Sequence, residues 1–102
     1  MGTVSVIATL TVKDGTGDTL LAAFDEFWPS LEREPGTKQY ILHRSTTNPN
    51  LFFVTELYTD QAAFEAHAGG DGFAKLGGAL GDFIESFDLQ MAEPVKIAGI
   101  QP

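Results

Sequence analysis

Residues 34 to 76 constrain this chain most, because local order can be read through them without a break. Glu34-Pro35-Gly36 closes what precedes, and residues 37 to 45 then alternate in polarity as a strand does. Thr46-Thr47-Asn48-Pro49-Asn50 follows, too short and too rich in Asn and Pro for anything but a hairpin connection. A second strand, residues 51 to 58, runs into Asp60, a capping carboxylate for a helix that carries Ala63, Phe64 and His67 on one side. The order is strand, tight turn, strand, capped helix. It brings Glu56, Tyr58 and His67 toward one end of the structure.

The flanking segments extend this frame. Val4, Val6, Ala8, Leu10 and Val12 alternate with mostly Ser and Thr, which predicts a half-buried first strand over residues 3 to 12. The turn Lys13 to Asp18 is expected to supply a capping carboxylate to the next helix. In that helix Leu20, Phe24, Phe27 and Leu31 recur at helical spacing, widened by Leu21 and Trp28. Pro29 cannot donate to the carbonyl of Asp25, so a kink or break is expected there. Residues 68 to 81 hold six of the eleven glycines, yet Phe73, Leu76, Leu80, Phe83, Ile84 and Phe87 keep helical spacing, which predicts a second, looser helical piece. A last strand is expected over residues 87 to 97, with Phe87, Leu89 and Met91 on one face and Pro94 as a bulge or edge breaker.

The resulting order, β-α-β-β-α-β, predicts an α+β fold of the ferredoxin-like split type, a four-stranded antiparallel sheet with helices on one face. All 102 residues fit one domain. Eight Phe and a 43% hydrophobic fraction exceed what so small an interior can cover. The bare sheet face of a second copy is the simplest cover, so a homodimer is expected.

Charge narrows the partners. Six basic against fourteen acidic residues give a net charge of −8, which opposes nucleic acid and anionic membranes. No apolar run approaches membrane-spanning length, and residues 1 to 5 lack the basic region of a signal peptide, so a soluble cytoplasmic protein is expected. With no Cys, thiolate chemistry and disulfides are excluded. Two His residues with twenty-three residues between them, and scattered carboxylates, match no metal-ligand spacing. Gly70-Asp71-Gly72 is no phosphate cradle, and no nucleophile motif accompanies the histidines.

The residues also carry a resemblance. Glu34-Pro35-Gly36, Tyr40-x-Leu42-x-Arg44, Asn48-Pro49-Asn50 and Phe53-x-x-Glu56-x-Tyr58-x-Asp60-x-x-Ala63-Phe64-x-x-His67 are similar to the antibiotic biosynthesis monooxygenase family of dimeric α+β barrels. Members include quinol and anthrone-type monooxygenases that use O₂ without flavin, haem or metal. Others degrade haem, and others isomerise small phosphorylated ketones. The resemblance therefore implies a dimer, no cofactor and a small aromatic substrate. The chain departs from the family where a second His commonly precedes an aromatic residue, since Gly72 stands before Phe73. The Asn used by haem-degrading relatives is also missing from residues 3 to 12, which opposes haem degradation.

Cofactor-free oxygenation needs a base that makes a substrate anion able to reduce O₂, a polar group for the substrate oxygen and a dry pocket. His67 is the candidate base, because imidazole titrates closest to neutral pH. Glu56 would orient it and Tyr58 would hold the substrate oxygen, since both point to one face with Phe52 and Val54. The competing readings are that His67 only packs beside Phe64, and that Glu56 forms a cross-strand ion pair with Arg44. Trp28, Phe64, Phe73 and Arg44 are the candidate substrate-binding residues, although aromatic stripes at helical spacing are also ordinary core. His43 lies on the face opposite Arg44 and belongs to the surface or a dimer interface. The leading expectation is a monooxygenase of a hydroquinone or anthrone. An isomerase or tautomerase of a small carbonyl compound is the alternative, with a non-catalytic dimeric binding protein behind it.

Overall fold

The computed structural model describes residues 2–99. Its elements run β1 (Val4–Val12), α1 (Gly17–Leu31), β2 (Thr37–Arg44), β3 (Leu51–Tyr58), α2 (Gln61–Ala68), α3 (Asp71–Leu80) and β4 (Ile84–Ala92). The four strands pair antiparallel in the order β2-β3-β1-β4. This is the ferredoxin-like α+β arrangement. The expected β-α-β-β-α-β order holds, with the second helical region divided into α2 and α3 at Gly69 and Gly70.

Alternation decides which sheet face is inside. Val6, Ala8, Leu10 and Val12 of β1 and Phe52 and Val54 of β3 are all buried on the face that the helices cover. α1 lays Leu20, Phe24, Phe27 and Leu31 against them, and α3 adds Leu76 and Leu80. Each such side chain contributes about 1.5–3 kcal/mol when fully buried. The core is therefore a layer between one sheet face and the α1–α3 pair.

Asp60 caps α2 as expected, its side chain accepting from the Ala63 N–H at 2.8 Å. At the start of α1 the expected cap is not made. Thr16 occupies the N-cap position, but its hydroxyl closes the preceding turn on the Lys13 carbonyl at 2.6 Å, and Asp18 lies within the first helical turn. There its carboxylate favours the positive end of the helix dipole without capping it. Pro29 does not break α1, which continues to Leu31. Asp25 and Pro29 both face solvent, so the carbonyl left without an amide donor is open to water. β4 begins and ends earlier than expected. Ile84 already pairs with Val12, Ala92 closes the ladder opposite Ser5, and Pro94 lies beyond the strand. No described helix is long and apolar enough to cross a membrane.

Candidate active site

Cross-strand register sets the site. Glu56 of β3 lies directly opposite Tyr40 of β2 on one side and Val6 of β1 on the other. Tyr58, two residues along, stands on the same inner face and donates its hydroxyl hydrogen to Glu56 Oε1 at 2.5 Å. Glu56 is 7% exposed and Tyr58 fully buried, so a carboxyl and a phenol share a desolvated corner of the core.

The corner opens into a cavity of about 410 Å³ between α3 and the inner sheet face. Its walls are almost wholly apolar, built from Phe24, Leu76, Leu80 and Phe87 among others, with Phe73 near the acidic end. Of its lining residues only Glu56 and Tyr40 carry polar side-chain groups. A cavity of this size and composition suits a small organic molecule held by one or two polar contacts.

His67 lies behind this wall and does not line the cavity. It is 2% exposed and enclosed by the rings of Phe27, Tyr40, Tyr58 and Phe73 at centroid distances of 5.9, 5.5, 5.4 and 5.3 Å. Its Nδ1 meets Glu34 Oε1 at 2.9 Å, and the same oxygen accepts from the Thr37 hydroxyl at 2.7 Å. Its Nε2 is 4.0 Å from Glu56 Oε1 and has no hydrogen-bond partner among the described residues. It is therefore Glu34, from the α1–β2 connection, that orients the ring, in place of Glu56. Glu34 was legible only as part of the Glu34-Pro35-Gly36 turn, and Tyr40 only as an inward strand residue. Neither carried a chemical signal before the strand register was known.

Titration follows burial here. Desolvation pushes the Glu56 carboxyl above its ordinary value of 4.5, with the Glu34 carboxylate adding to the rise, while the Tyr58 hydrogen bond and His67 oppose it. Burial and then Glu56 raise Tyr58 far above the phenol range, and burial followed by the charges of Glu56 and Glu34 does the same for Tyr40. Both phenols therefore remain O–H donors throughout ordinary pH.

Of the other expected site residues, only Phe73 reaches the cavity. Trp28 braces Tyr40 edge-on at 5.7 Å, and Phe64 braces Tyr58 at 5.6 Å. Arg44 does not pair with Glu56. It binds Asp18 at 3.2 Å and the Pro49 carbonyl at 3.1 Å and covers the Phe52 ring, because the register sets it opposite Phe52 and sets Tyr40 opposite Glu56. His43 points to the outer sheet face and meets the Thr55 hydroxyl at 2.9 Å. Gly72 sits where α3 crosses α1. A Cβ there would come within 2.8 Å of the Ser30 Cβ, so this position has no room for a second histidine. Among the described residues no three His, Asp or Glu side chains are placed to share a metal ion.

Known proteins place this geometry in context. No curated protein matches the chain. Among solved structures, a Caulobacter crescentus protein bearing the name of the antibiotic biosynthesis monooxygenases is 29% identical, with a TM-score of 0.86 over 93% of this chain and 92% of the other. A Nitrosomonas europaea protein of the same family name is 18% identical, with a TM-score of 0.87 over 96% and 95%. A Pseudomonas aeruginosa protein, 22% identical, superposes at 0.85 over 94% and 97%. The last two likenesses speak for the fold alone. The model of the family described as antibiotic biosynthesis monooxygenase matches residues 3–77, which take in β1 through most of α3 and every residue of the Glu34–His67–Glu56–Tyr58 cluster. The chain belongs to the antibiotic biosynthesis monooxygenase family.

Proposed function

We propose that the chain is a cofactor-independent monooxygenase that oxidises a small electron-rich aromatic, of hydroquinone or anthrone type, with O₂. The observation that carries this reading is a carboxyl of raised pKa, Glu56, on the wall of an apolar cavity. A base of raised pKa is better matched to a weakly acidic carbon or phenol than an ordinary surface carboxylate. Tyr40 donates a hydrogen bond to the substrate oxygen from the opposite strand. Phe73 and the aliphatic wall hold the flat ring. Tyr58 and Trp28 fix the two polar groups, and His67 supports Glu56 from behind.

For an anthrone the step balances as follows. Glu56 removes one proton from the ring CH₂, and the resulting anion gives one electron to O₂. Superoxide and the carbon radical combine at that carbon, forming a C–O bond. The peroxide anion takes back the proton held by Glu56, and the hydroperoxide then loses the second C–H hydrogen together with its terminal OH, so one CH₂ and one O₂ become one C=O and one H₂O. Water exclusion keeps the radical pair together until it combines. Homodimerisation through the outer sheet face is part of the same proposal, supported by Ile7, Ile41 and Phe53, which that face leaves exposed.

Oxygen uptake by the purified, metal-free protein against a panel of hydroquinones and anthrones tests the reading. Uptake well above the autoxidation blank, with Glu56→Gln reducing it by about 100-fold or more, is the expected result. Turnover that persists without oxygen assigns the chain to isomerase or tautomerase chemistry instead. Full uptake in Glu56→Gln removes Glu56 as the base.

A further inference from the structure

Glu56 has its back to a second pair of titratable groups, and these lead away from the cavity. We propose that His67 and Glu34 carry the proton taken up by Glu56 to a surface cleft separate from the cavity, and carry it back when the peroxide anion becomes the hydroperoxide. This rests on Glu56 acting as the base.

The geometry supplies each stage. Glu34 Oε1 can only accept when its carboxylate is ionised, so the His67 nitrogen facing it, Nδ1 at 2.9 Å, bears the ring proton. In the neutral ring Nε2 is then bare and faces Glu56 Oε1 at 4.0 Å. Among the described residues no group hydrogen-bonds this buried nitrogen. Here that vacancy on Nε2 lets it receive a proton from Glu56 once the carboxyl swings about 1 Å closer, to hydrogen-bond distance. The imidazolium so formed has the Glu34 carboxylate against its other nitrogen.

Exposure rises only at the far end of the route. His67 is 2% exposed and Glu56 7%, but the Glu34 side chain is 24% exposed and lines a cleft with Arg33 and Asp60 that shares no residue with the cavity. Substrate and proton thus use different faces of the protein, and the cavity need not admit water to exchange protons. The groups facing His67 are Glu34 from the α1–β2 connection, Tyr40 from β2 and Glu56 and Tyr58 from β3. α1 and α3 present the rings of Phe27 and Phe73 to it. Both phenols hold their protons, which leaves the two carboxyls as the only exchange partners among these groups.

The proton balance closes. One substrate C–H breaks and its proton moves to Glu56, then to Nε2, while Glu34 neutralises the ring from the cleft side. The reverse passage supplies the proton that turns the peroxide anion into the hydroperoxide, and it restores the starting tautomer; the later loss of water consumes no further proton.

Nitrogen-15 NMR of the histidine rings in the ligand-free protein tests the route without relying on turnover. At mildly alkaline pH the wild type should show His67 protonated on Nδ1 and bare on Nε2. Glu34→Gln keeps a hydrogen-bond acceptor at the same place but cannot carry a proton, so it should slow solvent exchange of the Nδ1 proton by about 100-fold. A ring protonated on Nε2 alone overturns the proposal, and so does an exchange rate unchanged in Glu34→Gln. The tautomer is read on the unaltered chain, so it decides even if the variant fails to fold. Absence of oxygen uptake with the expected tautomer and exchange would sink the oxygenase reading while leaving the proton route standing.

Discussion

Glu56 is a group whose placement costs stability, and the cost depends on pH in a defined direction. Burial raises its folded-state pKa above the ordinary 4.5 of the unfolded chain. Below 4.5 the carboxyl is neutral in both states and the native state loses nothing. As pH rises from there toward the folded value, the unfolded state ionises first, so native stability falls. Above the folded value the loss is complete and constant. Glu56→Gln keeps an oxygen to accept from Tyr58 and removes the charge. The variant should therefore melt above the wild type at neutral and alkaline pH, with the gap closing as pH falls toward 4.5. Thermal melts of both proteins across pH check this, and a gap that widens on acidification would contradict it. Carboxyls of raised pKa facing a cavity are concentrated at functional sites. Part of this was legible in sequence, since Glu56 and Tyr58 at i and i+2 must share a face. The partners of the two groups were not. Tyr40 meets Glu56 through strand register, and Glu34 meets His67 across thirty-three residues, so neither pairing has a local signature.

α3 shows at the scale of an element how one residue type can serve opposite ends. Gly72, Gly77 and Gly78 all lie within it, yet their surroundings differ. At Gly72 the backbone runs against Ser30 of α1, and any side chain must push the helices apart. At Gly77 and Gly78 an added Cβ meets nothing within 4 Å, and Gly77 lines the cavity. Helix propensity alone would make each Gly→Ala change stabilising by about 1 kcal/mol. Gly77→Ala and Gly78→Ala should approach that gain, and Gly72→Ala should destabilise, as read from urea unfolding midpoints. Equal effects at 72 and 77 would contradict the close α1–α3 approach. Because Gly77→Ala puts a methyl group into the cavity, it should also weaken the largest ring systems more than the smallest. The same segment explains where the sequence misleads. Phe83, Ile84 and Phe87 continue the helical spacing of Leu76 and Leu80, while Phe87, Leu89 and Met91 alternate as a strand, so both periods fit one stretch. The ladder to β1 settles the competition for the strand from Ile84 onward. Val95 and Ile97 prolong the alternation past Pro94, but the described ladder has already ended at Ala92.

For the whole molecule, the two faces of the sheet have different tasks. The inner face, with its helices, contains the cavity and the acidic cluster. The outer face carries Ile7, Ile41 and Phe53, which are 48%, 38% and 36% exposed and lie within two adjacent cross-strand rows. Ile7 and Ile41 both flank Thr55, and Phe53 sits beside Thr9 and His43 in the next row. A stable pair of chains needs about 1,200–2,000 Å² of total buried surface, which a four-stranded sheet face is large enough to supply. The opposing force is charge, because each protomer brings −8 at neutral pH. Apolar contact on this face must outweigh that repulsion, and added salt screens the repulsion within about 10 Å at 0.1 M. Dimerisation should therefore strengthen with salt, contrary to an interface held by ion pairs. Phe53→Glu adds a carboxylate to each side of the contact and should shift the sedimenting mass from two chains to one at micromolar concentration. The cavity lies on the other face, so the monomer should still bind aromatic ligands if the sheet alone builds the site. A wild type that sediments as a single chain at every salt concentration would remove the dimer. It would then leave the exposed Ile7, Ile41 and Phe53 to be covered by some other surface.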